Sequence, residues 1–184
     1  MAKWRWLDQL TDKEQLLRLK VLGSVPLFAG LSRRHLGKLL VKFFEKEYRP
    51  GETIFAEGEP GKALFVLLVG KVSICRAHGE GEEILATLTP GGYFGELALI
   101  DDQPRFASAR ATDASRLLIL YRSDFEDLME GQRTLAIQVM GNLLKTLAGY
   151  VRRSQSQRNG RSTSVGQTAA MDQPGMTSKS VSHD

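Results

Sequence analysis

Residues 91–111 read GGYFGELALIDDQPRFASARA and form the most informative stretch of the chain. Glu96 and Arg105 lie nine positions apart in it, each among small or apolar neighbours. Charged side chains in such surroundings are normally paired or hydrogen-bonded, because burying an unpaired charge is costly. The stretch therefore predicts a site in which both charges have defined partners.

The residue types of this stretch indicate which partners are suitable. Gly95 precedes an apolar segment with the composition of one helical turn, and free N–H groups at a helix start favour an anion. The planar guanidinium of Arg105 suits the paired oxygens of a phosphate, and an ionised Glu96 accepts hydrogen bonds from hydroxyl groups. An anion and a diol on one small molecule are what a cyclic nucleotide presents. A structural ion pair between Glu96 and Arg105 is the alternative.

Length and composition place the chain among globular proteins. Its 184 residues are 42% hydrophobic and 25% charged, which is ordinary for one domain with a core. The single cysteine, Cys75, excludes an internal disulfide, and no segment has the apolar length of a membrane span. His35, His78 and His183 are scattered and predict no metal site. The net charge of +4 is weak evidence for nucleic-acid binding, because much of the excess lies near the C-terminus.

The chain divides into segments of different periodicity. Residues 1–44 have helical spacing, with a break at GSVPLFAGL, and residues 45–122 consist of short apolar runs separated by glycine corners. Residues 123–153 return to helical spacing. Residues 154–184 contain almost no large apolar side chains and are expected to be disordered. This order predicts a β-sandwich or barrel flanked by N-terminal and C-terminal helices.

Some element boundaries are predicted more sharply. The continuously apolar ALFVLLV, residues 63–69, predicts a strand buried on both faces, and HGEGEE, residues 78–83, predicts a hairpin loop. Ser32 is a candidate cap for the second helix. Ser123, with Glu126 three residues later, has the pattern of a capping box.

One apolar stripe runs along the last helical segment. Its members are Leu135, Val139, Leu143, Leu147 and Tyr150. Packing on the barrel, a dimer seam and a lid over a ligand all fit this spacing.

The central stretch resembles a known motif. Residues 94–99, Pro104-Arg105 and residues 107–109 are similar to the phosphate-binding cassette of the cyclic nucleotide-binding domain family. That family includes kinase regulatory subunits, cyclic nucleotide-gated channels and catabolite-activator-like regulators, and the similarity extends over about residues 15–152. The resemblance implies an α+β, mainly β fold, an eight-stranded double-stranded β-helix or jelly roll, with its cassette at residues 92–109.

The resemblance also implies a role for each matching residue. Glu96 corresponds to the residue that accepts from the ribose 2′-hydroxyl, and Arg105 to the residue that pairs with the cyclic phosphate. The remaining cassette positions are Phe94, Gly95, Leu97, Ala98, Phe106, Ala107 and Ser108. Ile74, Leu85 and Ala86 are expected to face the base or sugar, with plain barrel core as the alternative. The candidate lid residues are Leu143, Leu147 and Tyr150.

The chain departs from the family pattern at Phe106. The family commonly has Ala, Ser or Thr there, and a hydroxyl at this position contacts the phosphate or helps to select guanine. Phe106 cannot supply that hydroxyl, which favours cAMP over cGMP as the ligand. A ring directed inward would instead crowd the ligand, and the chain would then be a degenerate, ligand-independent interaction module.

The resemblance implies a cytoplasmic binding module rather than an enzyme. It implies a sensor without a cofactor or catalytic residues. Because the sequence has no pattern of a kinase, channel or cyclase domain, we expect a stand-alone module that signals to a separate protein or to itself as a homodimer through the C-terminal helix. No segment with the pattern of a helix-turn-helix follows residue 153, so a DNA-binding regulator is the less favoured prediction.

Overall fold

A computed structural model describes residues 5–79 and 81–168. Eight strands form two four-stranded antiparallel sheets, in the orders β1-β8-β3-β6 and β2-β7-β4-β5. The strands are β1 (Phe44–Tyr48), β2 (Thr53–Phe55), β3 (Ala63–Val69), β4 (Val72–His78), β5 (Gly81–Leu88), β6 (Tyr93–Phe94), β7 (Ser108–Ala111) and β8 (Ser115–Tyr121). The helices are α1 (Arg5–Ser24), α2 (Arg33–Leu40), α3 (Arg122–Gly131) and α4 (Arg133–Thr168). This is the predicted jelly roll with N-terminal and C-terminal helices.

A core cluster contains buried residues from both sheets. Its members are Tyr48, Ala63, Phe65, Leu67, Val72, Phe94, Ala109, Ala111, Leu117 and Ile119. Alternate residues of a strand point to opposite faces, so Leu64 and Val66 lie on the other side of β3. Both are completely buried, and β3 is also contacted by α1. The prediction that ALFVLLV forms a strand buried on both faces is confirmed.

Two predicted boundaries can be compared directly with the structure. Ser32 caps α2 as predicted, its Oγ accepting a hydrogen bond from the backbone N of His35 at 3.3 Å. The predicted Ser123 cap of α3 is wrong, because α3 begins at Arg122 and no side chain caps it. The backbone N–H of Arg122 donates instead to the carbonyl of Lys62 at 2.9 Å, so the helix starts directly from β8.

The described residues divide into two compact units, with the boundary between Leu143 and Leu144. In the first unit, Asn142 is buried and its Nδ2 donates to the carbonyls of Leu27 and Ala29 at 3.2 and 2.8 Å. The sequence prediction ended the last helix at Arg153, whereas α4 continues to Thr168. Residues 169–184 of the expected disordered tail lie outside the described residues.

No helix in the part of the chain that the structure describes has the length and apolar character needed to cross a membrane.

Candidate functional site

The backbone of Arg105 is fixed by the turn between β2 and β3. The backbone N of Arg105 donates to the carbonyl of Glu59 at 2.8 Å, and its carbonyl accepts from the backbone N of Gly58 at 2.8 Å. Pro60 and Pro104 form an isolated β-bridge beside these bonds. The turn and the segment before β7 are therefore held together as a short antiparallel pair, and the Cα of Arg105 has a defined position.

The side chain of Arg105 bonds to two backbone carbonyls. Its Nη2 donates to the carbonyl of Ala63 at 2.8 Å and its Nη1 to that of Gly95 at 3.3 Å. The Nε is buried and has no hydrogen-bond partner among the described residues. No ion pair within 4.0 Å joins Arg105 to a carboxylate in the described part of the chain, so the structure does not support the alternative of a structural ion pair.

Aromatic rings form the floor beneath this guanidinium. Its Cζ lies 4.2 Å from the ring centroid of Phe55 and 5.7 Å from that of Phe65. Phe65 in turn stacks on Phe94, with centroids 5.2 Å apart and ring planes at 9°. A cation over an aromatic face is attracted by the ring quadrupole. The rings therefore offset part of the free-energy cost of desolvating the Arg105 guanidinium, whose hydrogen-bond acceptors among the described residues are neutral carbonyls.

Burial lowers the pKa of the Arg105 guanidinium, the attraction of Glu96 and Glu59 opposes that change, and the repulsion of Arg122 adds to it. A guanidinium keeps its proton in proteins, so Arg105 carries a positive charge here. The lowered pKa therefore indicates that the positively charged guanidinium of Arg105 is partly removed from water.

Glu96 begins the short 3-10 turn Glu96–Leu99, here called the cassette turn. Its residue is only 6% exposed, which is unusual for a glutamate. Gly95 precedes it with φ 77°, and the carbonyl of Gly95 accepts from the backbone N of Ala98 at 3.2 Å. The cassette turn thus places a buried carboxylate next to the glycine that contacts Arg105.

Phe106 does not occupy the interior of the roll. Its residue is 63% exposed, whereas Ala107 beside it is buried. The Oγ of Ser108 accepts from the backbone N of Glu57 at 2.9 Å, so that hydroxyl is used within the protein. The ring of Phe106 therefore does not crowd the core from within.

The predicted base and sugar residues lie on β4 and β5. Ile74 packs partly buried against the core cluster and pairs with Ala86 on β5 and Ala109 on β7. The pairing shifts next to it, so that Cys75 faces Ile84 and Leu85 forms a bulge. Leu85 is 39% exposed. Ile74 is thus partly buried against the core, Leu85 and Ala86 are open to solvent, and the role of all three in facing the base or sugar stays a prediction.

The candidate lid residues lie in different units. Leu143 lies in the first unit and is 1% exposed. Its stripe neighbours Leu135 and Val139 lie in the same unit and are completely buried. For these three positions the core-packing interpretation of the stripe applies. Leu147 and Tyr150 belong to the second unit, so their role as a lid stays a prediction.

Sequence reasoning missed Phe55, Phe65 and the carbonyl of Ala63 as parts of the site. Phe65 lies within ALFVLLV, where an aromatic residue reads as core, and Phe55 lies within a strand of three residues. Their approach to Arg105 depends on pairing between strands far apart in the chain, which local spacing does not reveal.

Comparison with known proteins identifies the class to which this architecture belongs. Residues 45–132 match the family model of the cyclic nucleotide-binding domain. The chain belongs to the cyclic nucleotide-binding domain family, as the resemblance of its cassette predicted.

Particular relatives include receptors and regulatory subunits. A cyclic AMP receptor protein of Thermus thermophilus is 40% identical over 128 residues, 69% of this chain and 57% of that protein. A cAMP-dependent protein kinase regulatory subunit of Mycosarcoma maydis is 31% identical over 157 residues, 84% of this chain and 27% of that protein. The N-terminal domain of a transcriptional regulator from Streptomyces coelicolor superposes with a TM-score of 0.68 at 31% identity, over 73% of this chain and 94% of that one.

The chain spans between 27% and 60% of the length of the curated relatives it matches first. These relatives are named as receptors, regulators and regulatory subunits, and they share with this chain the region that contains the cassette.

Proposed function

We propose that this chain binds a cyclic nucleotide at the site around Glu96 and Arg105, with cAMP preferred over cGMP. The observation that carries the proposal is the guanidinium of Arg105, which is partly desolvated, held by neutral carbonyls, and has a buried Nε without a partner among the described residues. A cyclic phosphate supplies the anionic acceptor that this guanidinium fits, through charge-assisted hydrogen bonds.

The neighbouring carboxylate supports the same ligand. Glu96 follows directly on Gly95, and the carbonyl of Gly95 accepts a hydrogen bond from Arg105. The proposed acceptor for the ribose hydroxyl, Glu96, is therefore close to the proposed donor to the phosphate, Arg105. The preference for cAMP rests on Phe106, which has no hydroxyl to select guanine. The names of the relatives, two of which refer to cAMP, agree with this preference.

The proposed role is signalling by a shift in population rather than catalysis. A ligand that binds one arrangement of the cassette and C-terminal helices more tightly than another favours that arrangement. The alternative is a ligand-independent module, in which the ring of Phe106 crowds the ligand. That ring is 63% exposed and lies outside the core, and titration with cyclic nucleotides tests whether it leaves room for a ligand. The effector protein and the expected cytoplasmic location remain predictions.

Titration calorimetry with cAMP and cGMP tests the proposal. The wild-type chain should bind cAMP more tightly than cGMP, and Arg105→Gln should weaken cAMP binding by about tenfold or more, since a hydrogen bond to a charged group contributes about 1.5–3 kcal/mol. Arg110→Gln is the matched control, because Arg110 lies on β7 and its guanidinium pairs with Glu82 on the surface. Equal affinity in the Arg105 variant, or no heat with either nucleotide, contradicts the proposal.

We also propose that α4 contributes a homodimer surface. In its part that belongs to the second unit, exposed or half-exposed apolar residues follow one another at intervals of three and four: Leu144, Leu147 and Val151. Such spacing is that of a coiled-coil seam. Light scattering should show a dimer for the wild-type chain and a monomer for a Leu144→Lys, Val151→Lys variant, with Lys145→Gln as the control. A wild-type monomer at every concentration contradicts this surface.

A further inference from the structure

Arg122 stands where the sheet meets the C-terminal helices. It is the first residue of α3 and follows β8 without a connecting loop. Its side chain is 17% exposed, much less than is usual for an arginine. The local sequence pattern indicated Ser123 as the start of the helix and predicted no role for Arg122.

The guanidinium of Arg122 bonds to three separate segments. Its Nε donates to the carbonyl of Ala98 in the cassette turn at 2.5 Å, and its Nη2 donates to the carbonyl of Gly61 at 3.2 Å. The Nη2 also donates to the carbonyl of Asp101, and Nη1 donates to Oδ1 of Asp102. One side chain thus joins the cassette turn, the loop after it and the turn before β3.

Arg122 and Arg105 act on the same piece of backbone. The carbonyls of Gly61 and Lys62 accept from the side chain and the backbone N of Arg122, and the next carbonyl, that of Ala63, accepts from Arg105. Three successive carbonyls before and at the start of β3 are therefore held by two arginines. A displacement of this backbone would move the acceptor that orients the guanidinium of Arg105.

Two of the three segments that Arg122 joins, the cassette turn and the turn before β3, are already in close contact. A Cβ added to Gly61 would lie 3.1 Å from the Cβ of Ala98 and 3.1 Å from the carbonyl oxygen of Gln103. Packing prevents these segments from approaching further, whereas the hydrogen bonds of Arg122 oppose their separation. The planar fork of arginine suits this task, because its donors point in fixed and different directions.

We propose that Arg122 is a positioning residue for the nucleotide site: without touching the ligand, it fixes the cassette turn against the turn before β3 and so sets the geometry of Arg105 and Glu96. This inference rests on the proposed function. The bond to Asp102 is a minor part of it, since that carboxylate is 93% exposed and exposed ion pairs contribute little. The carbonyls of Ala98, Asp101 and Gly61 are the important acceptors.

A purely electrostatic role for Arg122 has to be separated from positioning. The positive charge of Arg122 contributes, after burial, to the lowered pKa of Arg105, so the two cations are within electrostatic range. Arg122→Lys keeps the charge but loses the fork. Positioning predicts that Lys fails to restore binding, whereas an electrostatic contribution to an anion site predicts that Lys restores it.

The test is titration calorimetry with cAMP on the full chain, for the wild type, Arg122→Met and Arg122→Lys. Arg116→Met is the matched control, because Arg116 lies on the preceding strand, is 26% exposed and pairs with Glu14 and Glu45 rather than with the cassette. Both Arg122 variants should weaken cAMP binding by about tenfold or more, the loss expected when a buried hydrogen-bond network is broken, while Arg116→Met and Asp102→Asn stay within about twofold of the wild type.

The outcomes separate the inference from the function on which it rests. A wild-type chain that binds no cyclic nucleotide overturns both. A wild-type chain that binds, with folded Arg122 variants of unchanged affinity, overturns positioning alone, and so does full restoration by Lys. Should Arg122→Met fail to fold, Arg122→Lys carries the test, and Gly61→Ala provides a second one by forcing the same two segments apart; an unchanged affinity in either folded variant counts against the inference.

Discussion

Gly95 and Arg105 approach each other more closely than a side chain at position 95 would permit. A Cβ built on Gly95 would lie 2.6 Å from Nη1 of Arg105 and 3.0 Å from the carbonyl oxygen of Ala63. Gly95 also has φ 77°, a backbone conformation that glycine adopts at little cost. Position 95 therefore favours glycine for two reasons. The positive φ is strained for other residues, and any side chain would collide with the guanidinium of Arg105, the proposed phosphate-binding group.

Substitution of Gly95 by alanine should reduce the affinity for cAMP as well as the stability of the fold. The new Cβ must displace the guanidinium of Arg105, so we expect cAMP affinity to fall by about tenfold or more. Gly51→Ala is the control, because Gly51 has φ 82° and a Cβ added there would have no described atom within 4 Å. Both variants should lose stability by about 1 kcal/mol or more from backbone strain. Calorimetric titration and urea unfolding separate the two effects, and equal affinities in the two variants would contradict the prediction.

Phe55 should support nucleotide binding through its contact with Arg105. Phe55→Leu keeps an apolar side chain but removes the aromatic face beneath the guanidinium, a contact of about 0.5–2 kcal/mol. We expect cAMP affinity to fall by about three- to tenfold. Phe43→Leu is the control, since the ring of Phe43 makes an edge contact with Phe28 rather than with an aromatic residue of the site. If both variants bind equally well, the rings serve only as core.

The fold could be predicted largely from local patterns and from the cassette. Glycine corners, short apolar runs and flanking helical periodicity indicated a β-rich roll between helices, and ALFVLLV identified the central strand. The start of α3 could not be predicted from local pattern, because Ser123 offers a good local cap. The tertiary hydrogen bond from Arg122 to Lys62 determines the boundary instead.

The site was predictable where its members are close in sequence. Gly95, Glu96 and Arg105 share one short stretch, and their spacing matches the family pattern. Phe55 and Phe65 were not predictable, because β-sheet register brings them to Arg105. The exposure of the Phe106 side chain could not be predicted from the sequence either, because strand alternation alone allowed the ring to point inward or outward.

Asn142 should be a large contributor to stability at the start of α4. It is 8% exposed and donates to the carbonyls of Leu27 and Ala29, which lose a donor in Asn142→Ala. We expect the free energy of unfolding to fall by about 1–3 kcal/mol, because the carbonyl of Leu27 loses its Asn142 donor, whereas that of Ala29 keeps Gln138 as a donor. Gln138→Ala is the control, because Gln138 donates to Ala29 from an exposed position. Urea unfolding should show a smaller loss for that variant, and an equal or larger loss contradicts the prediction.

Tyr48 should make stability fall at alkaline pH. Burial, with further contributions from Glu52 and Tyr121, raises the pKa of the Tyr48 hydroxyl to about 12, above its ordinary value near 10. The unfolded chain therefore ionises first as the pH rises. The contribution of the neutral hydroxyl is complete below about pH 10, falls by roughly 1.4 kcal/mol at about pH 11, and is largely lost above about pH 12.

A comparison with Tyr48→Phe isolates this effect from the other groups that titrate in the same range. Tyr48 is 5% exposed within the core cluster, so phenylalanine fills the same space and removes only the ionisable hydroxyl. Urea unfolding of both proteins at several pH values should give a stability difference that is constant below about pH 10. Above that pH the difference should move in favour of the phenylalanine variant, because ionisation of the unfolded state then lowers the stability of the wild type alone. A difference that does not change with pH would mean that the Tyr48 hydroxyl titrates equally in the folded and unfolded chains.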